Sequence, residues 1–309
     1  MLGRGGMGEV VVARHALLGE RVAIKSLLAE ATTDRETVER FLNEARASLR
    51  IRSEHVVRVS DVDLLPDGRP FMVMELLEGR DLEARMQEGA FGVEEAVDLL
   101  LQACEGVAEA HRIGIVHRDL KPGNMFLTRR SDGSTRVVLL DFGISKFVEN
   151  AGQGFTSTTG LMGSPSYMSP EQFQNPRDVD ARTDVWALGV ILFRMLAGRA
   201  PFVAFSVPAL VVQVLREEPP RLRSLRPDVP PLLEALVAQC LQKPREARVE
   251  SVAALAKGLA AFASRDSSRA IERLQRFSAP QGAMAETRPV LQALPTASEP
   301  TAPRVLEPT

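Results

Sequence analysis

The sequence predicts an α+β chain of two lobes: a small, mainly antiparallel β lobe carrying one main helix, then a larger, mainly α-helical lobe. Three observations carry that reading. Valine-rich runs separated by turn signals fill the stretch before residue 78. Apolar stripes at helical spacing dominate from Val93 to Phe262. Between them, Met74-Glu75-Leu76-Leu77-Glu78-Gly79 leaves a strand and ends on a flexible glycine, the pattern of a hinge. The expected boundaries are 1–78 for the first lobe, 79–263 for the second and 264–309 for a tail.

At 309 residues the chain can bury a sizeable core. A net charge of -2 argues against non-specific nucleic-acid binding. The two cysteines, Cys104 and Cys240, fall in apolar helical patterns and read as buried thiols of a reducing, cytoplasmic compartment. Four histidines and no C-x-x-C pair give a structural zinc site little to build on. The longest apolar stretch, Val185 to Ala197, is short for a bilayer and contains Arg194, so a core helix is expected and no membrane segment. Met1 runs straight into a glycine-rich turn, so no signal peptide is expected.

Gly3, Gly5 and Gly8 form G-x-G-x-x-G ahead of Val10. Bare glycine lets backbone N–H groups approach phosphate oxygens. The valine-rich run Glu9 to Arg14 reads as strand, which disfavours the dinucleotide fold, where a helix follows the glycines. A glycine hairpin over a nucleotide fits better. A second strand, Arg21 to Leu27, puts Ala23 and Lys25 on one face, a small residue for an adenine and an ammonium for phosphates. Thr33-Asp34-Arg35-Glu36 is a capping-box pattern that opens a helix with Val38, Phe41, Leu42, Ala45 and Leu49 at helical spacing. Glu44 borders that stripe and is placed to point at Lys25. Leu64 to Met74 reads as a hairpin turning at Pro66-Asp67-Gly68-Arg69.

In the second lobe a buried helix is expected from Val93 to His111. His117-Arg118-Asp119-Leu120-Lys121-Pro122-Gly123-Asn124 then gathers an acid, cations and an amide in one proline-shaped loop. Proton abstraction, anion neutralisation and metal ligation are all within its means. A hairpin follows, Met125 to Thr128 and Val137 to Leu140, then Asp141-Phe142-Gly143, an acid at a strand end placed to hold a metal ion. Residues 149–162 are polar and rich in hydroxyls, among them Thr156 and Thr158. Ser169-Pro170-Glu171 closes that segment. Further helices are expected at Asp184–Ala197, Ala209–Arg216, Leu232–Leu241, Val252–Phe262 and Ser267–Phe277. From Ala279 onward six prolines mark a linker or disordered tail.

Taken together, glycine loop, V-A-I-K, helical glutamate, H-R-D-L-K-P-G-N, D-F-G, S-P-E and D-x-W-x-x-G resemble the eukaryotic-type (Hanks-type) serine/threonine protein kinases, in their bacterial branch, from residue 2 to about 262. The resemblance implies the bilobal protein-kinase fold, ATP and Mg2+ as cofactors, and protein substrates with Ser/Thr acceptors. It implies Asp119 as the residue that orients the acceptor hydroxyl and takes its proton, and Lys121 as the neutraliser of the transferring group. It implies Asn124 and Asp141 as metal ligands, and Lys25, paired with Glu44, at the α/β-phosphates. Backbone amides of Gly3, Gly5 and Gly8 would cover the phosphates. Leu2, Val10, Ala23 and Phe126 would enclose the adenine, with Met74 as gatekeeper, Glu75 and Leu77 at the hinge and Asp81 near the ribose. Glu171 and Arg248 are expected as a buried ion pair and Asp184 as a structural residue. Arg118 beside Asp119 implies activation by phosphorylation of the following loop, at Thr156 and Thr158, by transient homodimers acting in trans.

Departures from the family pattern are expected to matter. Ser164 stands for the usual threonine, and Ser48 for an apolar residue four positions after Glu44. The family domain usually has more of its first strand than precedes Gly3 here, so a misassigned start or a fragment is expected. Two alternatives stay open: a truncated, weakly active or pseudokinase scaffold, and a small-molecule phosphotransferase.

Overall fold

The computed structural model describes residues 1–5, 8–142 and 165–267, with Glu272 and Leu274. The chain divides into the units Met1–Ser278 and Ala279–Thr309, and all described residues belong to the first.

The first lobe is a five-stranded antiparallel sheet in the order β1-β2-β3-β5-β4. Its strands are β1 (Gly3–Arg4), β2 (Gly8–Arg14), β3 (Arg21–Leu27), β4 (Val59–Leu64) and β5 (Pro70–Glu75), and helix α1 (Arg35–Arg50) packs on β4 and β5. The register sets Ala23 opposite Met74, and Lys25 opposite Val10 and Met72. Alternation puts Ala23, Leu27, Met72 and Met74 into a core with Phe41 and Ala45 of α1.

Two details of α1 differ from expectation. Its cap is Asp34, not Thr33: the Asp34 carboxylate accepts from Glu36 N at 3.2 Å and Thr37 N at 3.1 Å, while Thr33 closes a preceding 3-10 turn. The buried stripe runs Thr37, Phe41, Ala45, Ser48, so Leu49 is left 49% exposed. A 3.6-residue period carries the inward face from Ala45 to Ser48, not to Leu49.

Gly79 is not a free hinge glycine. It opens β6 (Gly79–Asp81), which pairs with β7 (Met125–Arg129), itself paired with β8 (Thr135–Leu139). At φ 148° a Cβ on Gly79 would stand 2.0 Å from the Leu127 carbonyl oxygen, so only glycine permits this approach. Two main-chain bonds join the lobes here: Val57 N–H donates to Leu139 O at 3.0 Å and Leu139 N–H to His55 O at 2.8 Å.

The second lobe is helical: α2 (Leu82–Met86), α3 (Val93–Arg112), α4 (Pro170–Gln174), α5 (Arg182–Ala197), α6 (Val207–Arg216), α7 (Leu222–Leu225), α8 (Pro231–Cys240) and α9 (Val252–Leu259). The short α2, α4 and α7 have no sequence-stripe signal, since one turn is less than a period can reveal. α5 is buried on nearly every side and contacts α3, α8 and α9. Cys104 and Cys240 are buried in this core, where burial pushes the Cys240 thiol up to about 12 and Cys104 higher still, so both are inert at neutral pH. Beyond α9 the chain returns to α3, where Asp98 accepts from Ser264 N at 3.0 Å and Ser267 Oγ at 2.6 Å, and Leu274 is buried. Most of the expected 267–277 helix lies outside the described residues. Among the described residues no helix is long and apolar enough to cross a membrane.

Candidate active site

The His117–Asn124 loop is held by one buried acid. Asp184, at the start of α5, accepts from His117 N at 2.8 Å, Arg118 N at 2.9 Å and His111 Nε2 at 2.7 Å. Burial raises its pKa and the His111 hydrogen bond and charge outweigh it, so Asp184 titrates below the ordinary aspartate value. These bonds fix Arg118 at φ 66°, and Asp141 sits at φ 47°; among the described residues no other non-glycine residue has a positive φ. Such conformations cost about 1–3 kcal/mol and persist where surroundings impose them, commonly at active sites.

His117 is the internal brace. Its Nδ1 accepts from Asp119 N at 3.3 Å, so the proton sits on Nε2, which donates to Leu140 O at 3.2 Å, and the ring lies 4.5 Å from that of Phe142. One imidazole thereby joins the loop to the strand end that carries Asp141. Gln172 ties the loop from the other side, donating from Nε2 to Arg118 O at 2.9 Å while its Oε1 accepts from Ser169 N at 3.0 Å.

Asp119 is 6% exposed and is approached by both polar partners of the loop. Lys121 Nζ donates to Asp119 Oδ2 at 3.1 Å, and Asn124 Nδ2 donates to Asp119 O at 2.9 Å and Oδ2 at 3.2 Å. Leu140 N donates to Asn124 O at 2.8 Å, bringing the Asn124 and Asp141 backbones side by side.

Across the cleft, Lys25 Nζ donates to Glu44 Oε1 at 2.8 Å and to Asp141 Oδ1 at 2.7 Å. Two carboxylates share one ammonium in a largely buried setting. Burial works against the charge on Lys25, but Asp141 and Glu44 outweigh it and hold its pKa above the ordinary lysine value. Burial, helped by the Asp141 charge, raises the Glu44 carboxyl against the pull of Lys25.

The predicted adenine set is gathered in part. Ala23 and Met74 belong to the first-lobe core, and Val10 and Leu77 pack against it. Leu2 is 56% exposed, though its N–H donates to Val10 O at 2.8 Å, and Phe126 is half-buried opposite Asp81 across β6 and β7. The Asp81 carboxylate caps α2 through Ala84 N at 2.7 Å. Glu75 accepts from Arg58 N at 3.0 Å and Arg136 Nη2 at 3.1 Å, a tie between the sheets of the two lobes. Gly8 is required by packing, since a Cβ there would meet Ser26 O at 2.7 Å, whereas a Cβ on Gly3 would face open space and one on Gly5 would only touch Gly8 O at 4.0 Å. Glu171 and Arg248 form a two-pronged pair at 2.7 Å on each prong. Gly143, Thr156, Thr158 and Ser164 lie outside the described residues.

A family model described as the protein kinase domain matches residues 1–258. The chain belongs to the protein kinase family. Curated relatives of this kinase include the serine/threonine-protein kinase Pkn1 of Myxococcus xanthus, 42% identical over 262 residues, 84% of this chain and 37% of that protein. The serine/threonine-protein kinase PknB of Mycolicibacterium smegmatis is 34% identical over 257 residues, 82% of this chain and 40% of that protein. Among solved structures, the kinase domain of PknI from Mycobacterium tuberculosis superposes with a TM-score of 0.65 at 28% identity, covering 84% of this chain and 92% of that chain. The kinase therefore sits in the bacterial serine/threonine branch, and it spans less than half the length of these curated relatives. The family uses ATP with a divalent metal ion and acts on protein substrates.

Sequence reasoning missed His111, Gln172 and Arg136, which brace the site from other elements. Only Gln172 had a local signal, standing three residues after Ser169 in a capping-box pattern.

Proposed function

We propose that this chain transfers the γ-phosphoryl group of ATP to serine and threonine hydroxyls of proteins, its own loop included. The observation that carries this reading is the convergence of Lys25 and Glu44 on one side of the cleft with Asp119, Lys121, Asn124 and Asp141 on the other, Asp141 meeting Lys25 across it. Phosphoryl transfer asks a protein mainly for positioning and charge neutralisation, and this inventory supplies both.

Asp119 orients the acceptor hydroxyl and takes its proton, and Lys121, already on its carboxylate at 3.1 Å, neutralises the transferring group. Lys25, held between two acids, meets the α- and β-phosphates, under the backbone amides of Gly3, Gly5 and Gly8. Val10, Ala23, Met74, Leu2 and Phe126 enclose the adenine, Glu75 and Leu77 offer backbone groups, and Asp81 lies near the ribose. The Asp141 carboxylate and the Asn124 amide oxygen are hard oxygen donors on adjacent backbones, which suits Mg2+. Bound there, the ion would neutralise phosphate charge. Cytoplasmic ATP and reduced thiols suit such an enzyme, and the near-neutral charge gives nucleic acid no handle.

The test is label transfer from γ-labelled ATP with Mg2+ to the chain itself or to a generic basic protein. Label on serine and threonine is the expected result. Nucleotide binding without transfer would select the scaffold reading, and label confined to a small molecule would select the small-molecule phosphotransferase.

Arg118, beside Asp119, has no ion-pair partner among the described residues. That supports a switch in which phosphate on Thr156 or Thr158, added in trans within a transient homodimer, docks on Arg118. Mass spectrometry of active protein is expected to find the 154–162 peptide phosphorylated; a wholly unmodified peptide would overturn the switch.

A further inference from the structure

Glu83, in the first turn of α2, and Arg194, in the last turn of α5, meet in a two-pronged ion pair outside the machinery described above. Arg194 Nη1 donates to Glu83 Oε2 at 2.6 Å and Nη2 donates to Oε1 at 2.5 Å. Arg194 Nη1 also donates to the Tyr167 hydroxyl. Tyr167 is buried, and it lines a small cavity together with Arg118, Asp119 and Leu120. Tyr167 thus touches the charge pair and shares a cavity wall with the acid at which an acceptor hydroxyl would react. Neither partner is sealed from solvent, with 38% of the Glu83 side chain and 22% of Arg194 exposed. An acceptor segment that reaches Asp119 past Tyr167 and α2 would run along this pair.

We propose that Arg194 and Glu83 together set the charge preference for the acceptor segment. Paired, they present that stretch of cleft as an electrically neutral wall. Loss of either partner turns the wall into a site for acceptors of the opposite charge. An unpaired guanidinium in a partly desolvated cleft offers a fork to carboxylates, and an unpaired carboxylate attracts ammonium and guanidinium groups. Specificity then rests on what the pair withholds from either kind of acceptor as much as on any contact it makes. The inference rests on the protein-kinase reading above.

A purely structural clamp behaves differently. Two substitutions that break the same ion pair would then impair the enzyme in the same direction. The proposal requires opposite directions.

The experiment uses the full chain and synthetic peptides identical except for glutamate, glutamine or lysine on both sides of one serine. For Glu83→Gln, the kcat/KM ratio of acidic over basic peptide is expected to rise by about tenfold, through the peptide KM. For Arg194→Met the same ratio is expected to fall by about tenfold, with the KM for ATP unchanged in both. Arg194→Lys, which keeps the wall neutral, and the charge-reversed double variant Glu83→Arg with Arg194→Glu are expected to return the ratio to the wild-type value. If Arg194→Met unfolds, Glu83→Gln and the reversed pair decide the matter. Shifts in the same direction, or an unmoved ratio in an active enzyme, overturn the proposal alone. Absence of any transfer by the wild type overturns the kinase reading and this proposal with it.

Discussion

Replacing Asp119 by asparagine is expected to slow phosphoryl transfer by roughly 10²- to 10⁴-fold while nucleotide binding persists. The amide keeps the shape of the carboxylate and leaves Lys121 an oxygen to meet, but it cannot take the proton of an acceptor hydroxyl. Asp119 lies on the loop side of the cleft and Lys25 on the other, so the substitution leaves the Lys25–Glu44–Asp141 cluster intact. That separation is what makes the test informative. The loop itself is held by Asp184 through the main chain of His117 and Arg118, and so keeps its form in the variant. Label transfer from γ-labelled ATP, read beside binding of a fluorescent ATP analogue, gives both quantities from one preparation. Transfer at the wild-type rate would remove Asp119 from the chemistry.

The polar residues of the site were legible in the sequence because the chemistry is locally dense. Asp119, Lys121 and Asn124 lie within six residues, and the structure finds all three hydrogen-bonded to one another. Lys25 and Glu44 were legible for a different reason, since strand alternation fixes one face and helical periodicity the other. What supports them was legible only in part. Asp184 was expected as a structural residue and Gln172 stood in a capping-box pattern, but their bonds to Arg118, from 66 and 54 positions away, were not, since no periodicity announces a side chain that bonds a distant backbone. Arg136 on Glu75 is the same case, an ordinary strand arginine until the lobes are joined. Gly79 misled because a glycine needed for close backbone approach reads, in sequence, like one needed for flexibility. Asp34 displaced Thr33 as cap because both are good N-caps, and the geometry of the preceding turn decides between them.

Removing the Arg248 guanidinium is expected to have the largest effect on stability. Arg248 is 3% exposed and all of its N–H donors have acceptors. Nε donates to Gln242 O at 2.7 Å, Nη1 to Glu171 Oε1 and Arg182 O at 2.7 and 3.3 Å, and Nη2 to Glu171 Oε2 and Lys243 O at 2.7 and 3.0 Å. The guanidinium also lies 5.1 Å from the Trp186 ring in the core. Arg248→Met keeps most of the volume but strands a largely buried carboxylate and three carbonyls, a loss of about 3–5 kcal/mol, or on the order of 10 °C in Tm for a domain of this size. The pH dependence separates this cause from mere loss of packing. In the wild type, burial pushes Glu171 up, but the Arg248 hydrogen bonds and charge outweigh it and hold the carboxyl below its ordinary value of 4.5. That contribution is fully present above pH 4.5 and is lost as the pH falls through the lower folded-state value. In the variant the Arg248 contributions are gone and only a backbone hydrogen bond and the Thr183 hydroxyl, at 2.8 Å, still oppose burial, so Glu171 titrates higher than in the wild type and its protonation in the folded state relieves the stranded charge as the pH is lowered from 7. The gap between wild type and variant should therefore narrow from pH 7 to pH 4.5, with Asp184 contributing equally to both and cancelling. Thermal unfolding of the two proteins across that range measures it, and a gap that stays constant or widens would show that Glu171 was not the group left exposed to the cost of burial.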